Sequence, residues 1–178
     1  FEFEMEEFTF DETRYINAHM DYEDQVTKKS YFNRCYQMPG NQLSIYKNIK
    51  EEGILVLEEG RAERIKMIAK DVKGNSTTAE FWVVKSRLPN RLHEPIHNYF
   101  LPFDEENVVD NGSMYLHMPK GTLYENLYLS FDATAEDSDD IYSSYYHIHD
   151  YKTPVHKYYD LSIFPYKLPE VLKSKAFI

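Results

Sequence analysis

The sequence has 178 residues, a formal net charge of −10, one cysteine, 16 Tyr, 11 Phe and 1 Trp. A chain of this length forms one large domain or two small ones and needs no disulfide to hold its core. The single Cys35 excludes a disulfide framework and a cysteine-based zinc cluster. No apolar run approaches the length of a membrane-spanning helix, and the acidic balance argues against nucleic acid as a partner.

The chain opens on an alternation of apolar and acidic residues at 1–6, which predicts a strand with one apolar face. Because a chain rarely begins inside a strand, we expect a fragment of a longer polypeptide, truncated at both ends. A long polar stretch follows at about 11–41, and we interpret it as a structured insertion with a helical turn near 11–17. Residues 43–46 predict the next strand.

The remaining elements are predicted as short strands that stop at turn formers. In the first half they are 54–57, 64–70 and 77–84, and Gly74 predicts a hairpin turn between the last two. In the second half they are 114–118, 127–131, 145–149 and 161–163, with a turn at 110–112. Strands at about ten-residue spacing without helical periodicity predict an all-β protein built of antiparallel sandwiches.

Composition divides the chain into two predicted modules. Residues 1–89 carry a net charge of −3 and 5 Tyr, whereas residues 90–178 carry −7 and 11 Tyr. Pro89, flanked by turn formers, follows an apolar strand. We therefore predict modules at 1–88 and 89–178, the first with the insertion.

One segment matches the H-E-x-x-H zinc signature: His93, Glu94 and His97 have its spacing. The motif requires a helix that places both imidazoles on one face, and Pro95 lies in the middle of it. A linker is the favoured interpretation.

A second histidine group could share a metal ion. His147 and His149 have the i, i+2 spacing that places two side chains on one face of a strand, and His156 is a candidate third ligand. The alternative, which we favour, is that these residues pack on a Tyr-rich sheet. We predict no catalytic, cofactor or metal site in this chain.

The acidic residues 136–140 lack the pattern of a calcium loop and predict a solvated loop.

Several motifs resemble one family over nearly the whole chain. They are FTFDETRYIN at 8–17, HMDY at 19–22, PGNQLSIYKN at 39–48, KDVKGNS at 70–76, LYENL at 123–127, HIH at 147–149, YKTPVH at 151–156, LSI at 161–163 and LPE at 168–170. The chain is similar here to the region that follows the catalytic domain in Gram-negative lysostaphin-like zinc metalloendopeptidases, which cleave peptidoglycan. Those enzymes hold zinc with an H-x-x-x-D and an H-x-H segment of the catalytic domain.

The resemblance implies two tandem immunoglobulin-like β-sandwich modules that act as a non-catalytic accessory region in the periplasm or cell envelope. The region would position or regulate an upstream catalytic domain, and zinc would belong to that domain. Peptidoglycan or an envelope protein is a further expected partner. His147 and His149 lack the flanking residues of the family's H-x-H segment, so the metal role is not carried over.

Two alternatives stay open at this point. A glycan-binding module would stack sugars on exposed tyrosines among Tyr142, Tyr145, Tyr146 and Tyr151. A free-standing zinc hydrolase would use one of the two histidine groups.

Overall fold

The computed structural model describes residues 1–5, 9–87, 95–135 and 138–177. These residues form mostly strands in small antiparallel sheets, with a few short helices, as the predicted all-β class requires. The strands are β1 (Glu2–Phe3), β2 (Tyr46–Lys47), β3 (Ala62–Lys70), β4 (Ser76–Val84), β5 (Tyr99–Leu101), β6 (Asn107–Asp110), β7 (Met114–Met118), β8 (Leu127–Leu129), β9 (Phe131–Thr134), β10 (Tyr145–Ile148) and β11 (Asp160–Ile163).

The helical elements are 3-10 segments at Phe10–Tyr15, Glu51–Gly53 and Glu170–Lys175, and two α-helices, α1 (Ile16–His19) and α2 (Tyr22–Lys28). The predicted helical turn near 11–17 is confirmed. Asp21 caps α2, because its side chain accepts the Asp24 backbone N–H at 3.1 Å. Among the described residues, no helix is long and apolar enough to cross a bilayer.

The chain divides into two compact units. Unit 1 comprises Phe1–Gly53 and Pro95–Ile178, and unit 2 comprises Ile54–Glu94. The predicted modules 1–88 and 89–178 do not coincide with these units. The boundary between the two predicted modules falls in residues 88–94, which lie outside the described part of the chain. The predicted division therefore stays a prediction.

The core of unit 1 lies between the small sheets of its second half. β6, β7 and β11 form a three-stranded antiparallel sheet with β7 in the middle, while β5 pairs with β8 and β9 with β10. Alternate residues of β7 are buried, which is the pattern of a strand with one face on a core. The buried cluster contains Leu101, Val109, Met114, Leu116, Met118, Leu123, Leu127 and Leu129.

The insertion packs as an ordered part of unit 1. Thr9 and Glu12 form a capping box at the first 3-10 segment, and the other Glu12 oxygen accepts the Ser44 backbone N–H at 2.7 Å. Hydrogen bonds from the Thr9 backbone N–H and hydroxyl, and from Ser44, lower the pKa of Glu12 to about 2. This carboxylate therefore joins the start of the insertion to the residues just before β2.

Unit 2 is dominated by one β-hairpin. β3 and β4 pair antiparallel over nine residues, from Ala62 opposite Val84 to Lys70 opposite Ser76. The turn is closed by Asp71, whose side chain accepts the backbone N–H groups of Lys73 and Asn75 at 2.9 Å. The predicted hairpin is confirmed. The predicted strand at 54–57 is wrong, because these residues have no strand partner and lie in irregular structure.

Candidate functional site

The H-E-x-x-H segment is described only from Pro95 onward, so the predicted positions His93 and Glu94 lie outside the described residues. His97 precedes β5, with Nδ1 2.8 Å from the Pro95 carbonyl oxygen. Its ring packs edge-on against Tyr128, with the centroids 5.0 Å apart. These contacts hold the imidazole locally, against its own backbone and an aromatic neighbour.

His147 and His149 do not share a strand face. β10 ends at Ile148, and His149 adopts a left-handed backbone with φ +52°. The His149 Nδ1 lies 3.4 Å from the Ser130 backbone nitrogen, and its Nε2 lies 3.0 Å from the Thr153 hydroxyl oxygen. The predicted i, i+2 geometry is therefore wrong, because the strand bends away one residue earlier than the pattern indicates.

His156 is buried in an aromatic stack and does not face the other two histidines of the predicted group. Its ring lies 4.0 Å from the ring of Tyr124 at an interplanar angle of 14°, and the ring of Tyr15 contacts it edge-on. Gly40 lies so close that a Cβ on it would be 2.6 Å from His156 Cε1. His156 thus joins the insertion to the second half of the chain inside unit 1.

His156 and Asp160 also have the H-x-x-x-D spacing of the family's zinc segment, a match that sequence reasoning missed. The two side chains diverge, because Asp160 is exposed on β11 and its Oδ2 lies 3.4 Å from His117 Nδ1. The other nitrogen of His117 lies 2.7 Å from Glu106, and these carboxylates raise the pKa of His117. Within the described ranges, no three His, Cys, Asp or Glu side chains are grouped to hold a metal ion.

A second buried histidine was not anticipated from the sequence. His19 is fully buried, and its Nδ1 lies 3.0 Å from the Tyr46 hydroxyl, which in turn accepts the Asn41 amide at 2.9 Å. Asn41, Tyr46 and His19 therefore form a hydrogen-bonded chain, and the buried Nε2 of His19 has no hydrogen-bond partner among the described residues. Burial raises the pKa of Tyr46 to about 12, so the phenol stays neutral.

The two buried imidazoles predict a loss of stability in acid. Burial lowers the pKa of both His19 and His156, so the unfolded chain takes up more protons as the pH falls below about 6.5. The free energy of unfolding should therefore decline as the pH falls through their folded pKa values. Urea unfolding at about pH 7.5 and about pH 5 measures this decline.

Matched variants distinguish the contribution of His19 and His156 to the acid decline from that of other titrating groups. The double variant His19→Gln, His156→Gln should be less stable at neutral pH but lose less stability on acidification. His147→Gln changes an exposed histidine and should keep the wild-type decline. A double variant with an undiminished acid decline contradicts the assignment.

A polar cleft of about 300 Å³ lies in unit 1 between α2, residues 123–127 and residues 149–154. Its cations are already paired within the cleft. Lys152 Nζ lies 2.9 Å from Glu23 Oε1, and Arg34 lies 3.5 Å from Asp21. Because each positive charge faces a carboxylate, the cleft offers little attraction to an anion.

The tyrosines predicted for glycan stacking fall into two groups. Tyr145 and Tyr151 are 71% and 74% exposed, whereas Tyr142 and Tyr146 are half-buried. The ring of Tyr146 stacks on Phe131 with the centroids 5.8 Å apart, and it packs against the core. Two of the four candidates are therefore accessible to a ligand.

An exposed apolar surface lies on one face of the unit 2 hairpin. We call the four side chains Ile65, Met67, Phe81 and Val83 the hairpin surface; they share one face, because Ile65 pairs with Phe81 and the neighbouring pairs alternate. Met67 is 43% and Phe81 44% exposed. Hydrophobic faces of this kind mark interaction sites, because isolated two-stranded hairpins are marginally stable in water.

Comparison with known protein families finds one match, to a Zu5-like domain over residues 98–178. The match covers a little under half of the chain and includes β5 to β11, all in the second half. Neither curated proteins nor solved structures give a match.

Proposed function

We propose that this chain is a non-catalytic accessory region of a peptidoglycan metalloendopeptidase of the Gram-negative cell envelope. It works by docking on the catalytic domain through the hairpin surface and thereby positions that domain. Zinc would be held by the catalytic domain, and the periplasm is the proposed location. In the complete protein, the chain would form two tandem immunoglobulin-like sandwiches, with the hairpin surface covered.

The observation that carries this proposal is the exposed hairpin surface. A sheet with apolar side chains on one face is stable when another layer covers that face. β3 and β4 leave Met67 and Phe81 accessible on one face of a nine-residue ladder. The sequence resemblance offers an upstream catalytic domain as the candidate for this covering layer.

The first test is the complete reading frame. The proposal expects an upstream domain with an H-x-x-x-D and an H-x-H segment. An upstream sequence of another enzyme class, or a stop codon close to residue 1, would contradict it.

The second test changes the hairpin surface in the complete gene product. Phe81→Glu should reduce peptidoglycan hydrolysis about tenfold or more, since burying an unpaired carboxylate costs more than the roughly 1–3 kcal/mol of an unpaired neutral polar group and would weaken docking. Val72→Glu introduces the same charge at a fully exposed turn position, 101% accessible, and should leave hydrolysis unchanged. Equal rates for the two variants would refute docking through this face.

A glycan-binding role is the second candidate, favoured by the exposed rings of Tyr145 and Tyr151. It predicts that the 178-residue chain sediments with purified peptidoglycan and that Tyr145→Ala, Tyr151→Ala abolishes this. Tyr158→Ala, which removes another highly exposed tyrosine, is the control.

A further inference from the structure

The two faces of strand β3 carry different kinds of side chain. Arg64, Lys66, Ile68 and Lys70 lie on one face, and Ile65 and Met67 lie on the other, because side chains alternate along a strand. A chain segment running alongside β3 would therefore meet three cations and Ile68 on one face and the apolar groups of the hairpin surface on the other.

The cations of β3 are poorly neutralised by the chain itself. Lys66 Nζ lies 3.8 Å from Glu80 Oε1 across the hairpin, a long ion pair between exposed side chains. Arg64 and Lys70 make no ion pair with any described residue. The sequence of unit 2 carries a net charge of +2. The unneutralised cations of β3 therefore favour an acidic partner.

The backbone of β3 is also open on its outer side. β3 pairs only with β4 among the described strands, so the backbone groups on its other edge have no strand partner. Such an edge is a template for a further strand. A second copy fits poorly, because antiparallel self-pairing centred on Met67 would bring Arg64 opposite Lys70 of that copy, and like charges in opposition destabilise a sheet.

We propose that the outer edge of β3 binds an extended strand of the partner protein in which acidic and apolar side chains alternate. The apolar side chains of that strand extend the hairpin surface, and its carboxylates face Arg64, Lys66 and Lys70. The proposal rests on the docking function proposed above and adds the chemistry of the docked segment.

The test uses the 178-residue chain and a blocked peptide, Glu-Val-Glu-Val-Glu-Val-Glu. Trp82, the single tryptophan, lies opposite Arg64 on the cationic face, so its fluorescence reports occupancy of this ladder. We expect a saturable change in emission. Arg64→Glu, Lys70→Glu should weaken binding about tenfold or more, since each opposite-charge pair becomes a like-charge pair. Lys73→Glu, in the turn outside the ladder, should bind as the wild type does.

Three results would overturn the proposal: equal binding of the Lys-Val counterpart, equal binding of a Glu-Val peptide N-methylated at alternate residues, and self-association of the chain without peptide binding. Equal binding of the Lys-Val peptide would show that the charges of β3 do not select the ligand. Equal binding of the N-methylated peptide would show that backbone pairing is not needed, and self-association would show that a second copy occupies the edge. The peptide comparisons remain decisive even if the doubly reversed variant fails to fold. An upstream catalytic domain combined with failure here would leave docking intact and reject only this partner chemistry.

Discussion

Replacing Leu116 with alanine is expected to lower the free energy of unfolding of unit 1 by about 2–5 kcal/mol. Leu116 lies on β7, the middle strand of the three-stranded sheet, and is only 2% exposed. Its removal leaves a cavity among Met114, Leu129 and the other side chains of the core cluster, which fills only in part. Urea denaturation followed by circular dichroism measures the change in midpoint.

The control is Val108→Ala on β6, the neighbouring strand. Val108 is 54% exposed, so its truncation removes little buried surface and should cost well under the Leu116 value, roughly 0.5 kcal/mol. If both variants unfolded at the same urea concentration, the core of unit 1 would not lie where the buried face of β7 places it.

Replacing Gly53 with alanine is expected to destabilise unit 1 by roughly 1–3 kcal/mol more than replacing Gly112. Both glycines have nearly the same left-handed backbone, φ +84° and +83°, so the conformational penalty of alanine is alike. A Cβ on Gly53 would lie 2.5 Å from the Cys35 carbonyl oxygen and 2.8 Å from Tyr36 Cα. These are backbone atoms, and they cannot move aside by a change of side-chain rotamer.

Gly112 isolates the contribution of the clash. In its tight turn after β6, no described atom outside the turn lies within 4 Å of the position that an alanine Cβ would occupy, so Gly112→Ala carries the backbone penalty alone. Thermal or urea unfolding of both variants gives the difference. Equal losses of stability would mean that the chain near Cys35 does not approach Gly53 as closely as the structure shows.

Local signals predict part of the fold well. The β3–β4 hairpin follows from a turn in which Asp71 and Asn75 bond to each other, and these residues are close in sequence. Helix α2 escapes prediction, although Asp21 and Asp24 provide a capping signal, because seven residues give too little periodicity. The strand predicted at 54–57 is wrong, since apolar composition alone does not supply a pairing partner.

The environments of the histidines cannot be derived from the sequence. His156 is surrounded by Tyr15, Gly40 and Tyr124, which are 32 to 141 positions away along the chain. The i, i+2 spacing rule places His149 on the wrong face. Its backbone adopts φ +52°, which is not a strand conformation, and its ring contacts Ser130 and Thr153. Spacing rules apply within one regular element, and these contacts join different elements.

For the hairpin surface, the sequence predicts the strand but not the exposure of its side chains. The residue types of 64–70 and the turn formers after it predict a strand, and the strand is confirmed. What the pattern cannot reveal is that Met67 and Phe81 stay accessible in the described residues. That difference between pattern and exposure is the basis of the docking proposal.

Hydroxyl-radical footprinting of Met67 and Phe81 tests that proposal most directly, by comparing the 178-residue chain with the complete gene product. The docking account predicts that oxidation of both side chains falls sharply in the complete product, while that of Tyr158, which is highly exposed in unit 1, stays unchanged. Oxidation of Met67 and Phe81 at the same rate in both proteins would contradict it.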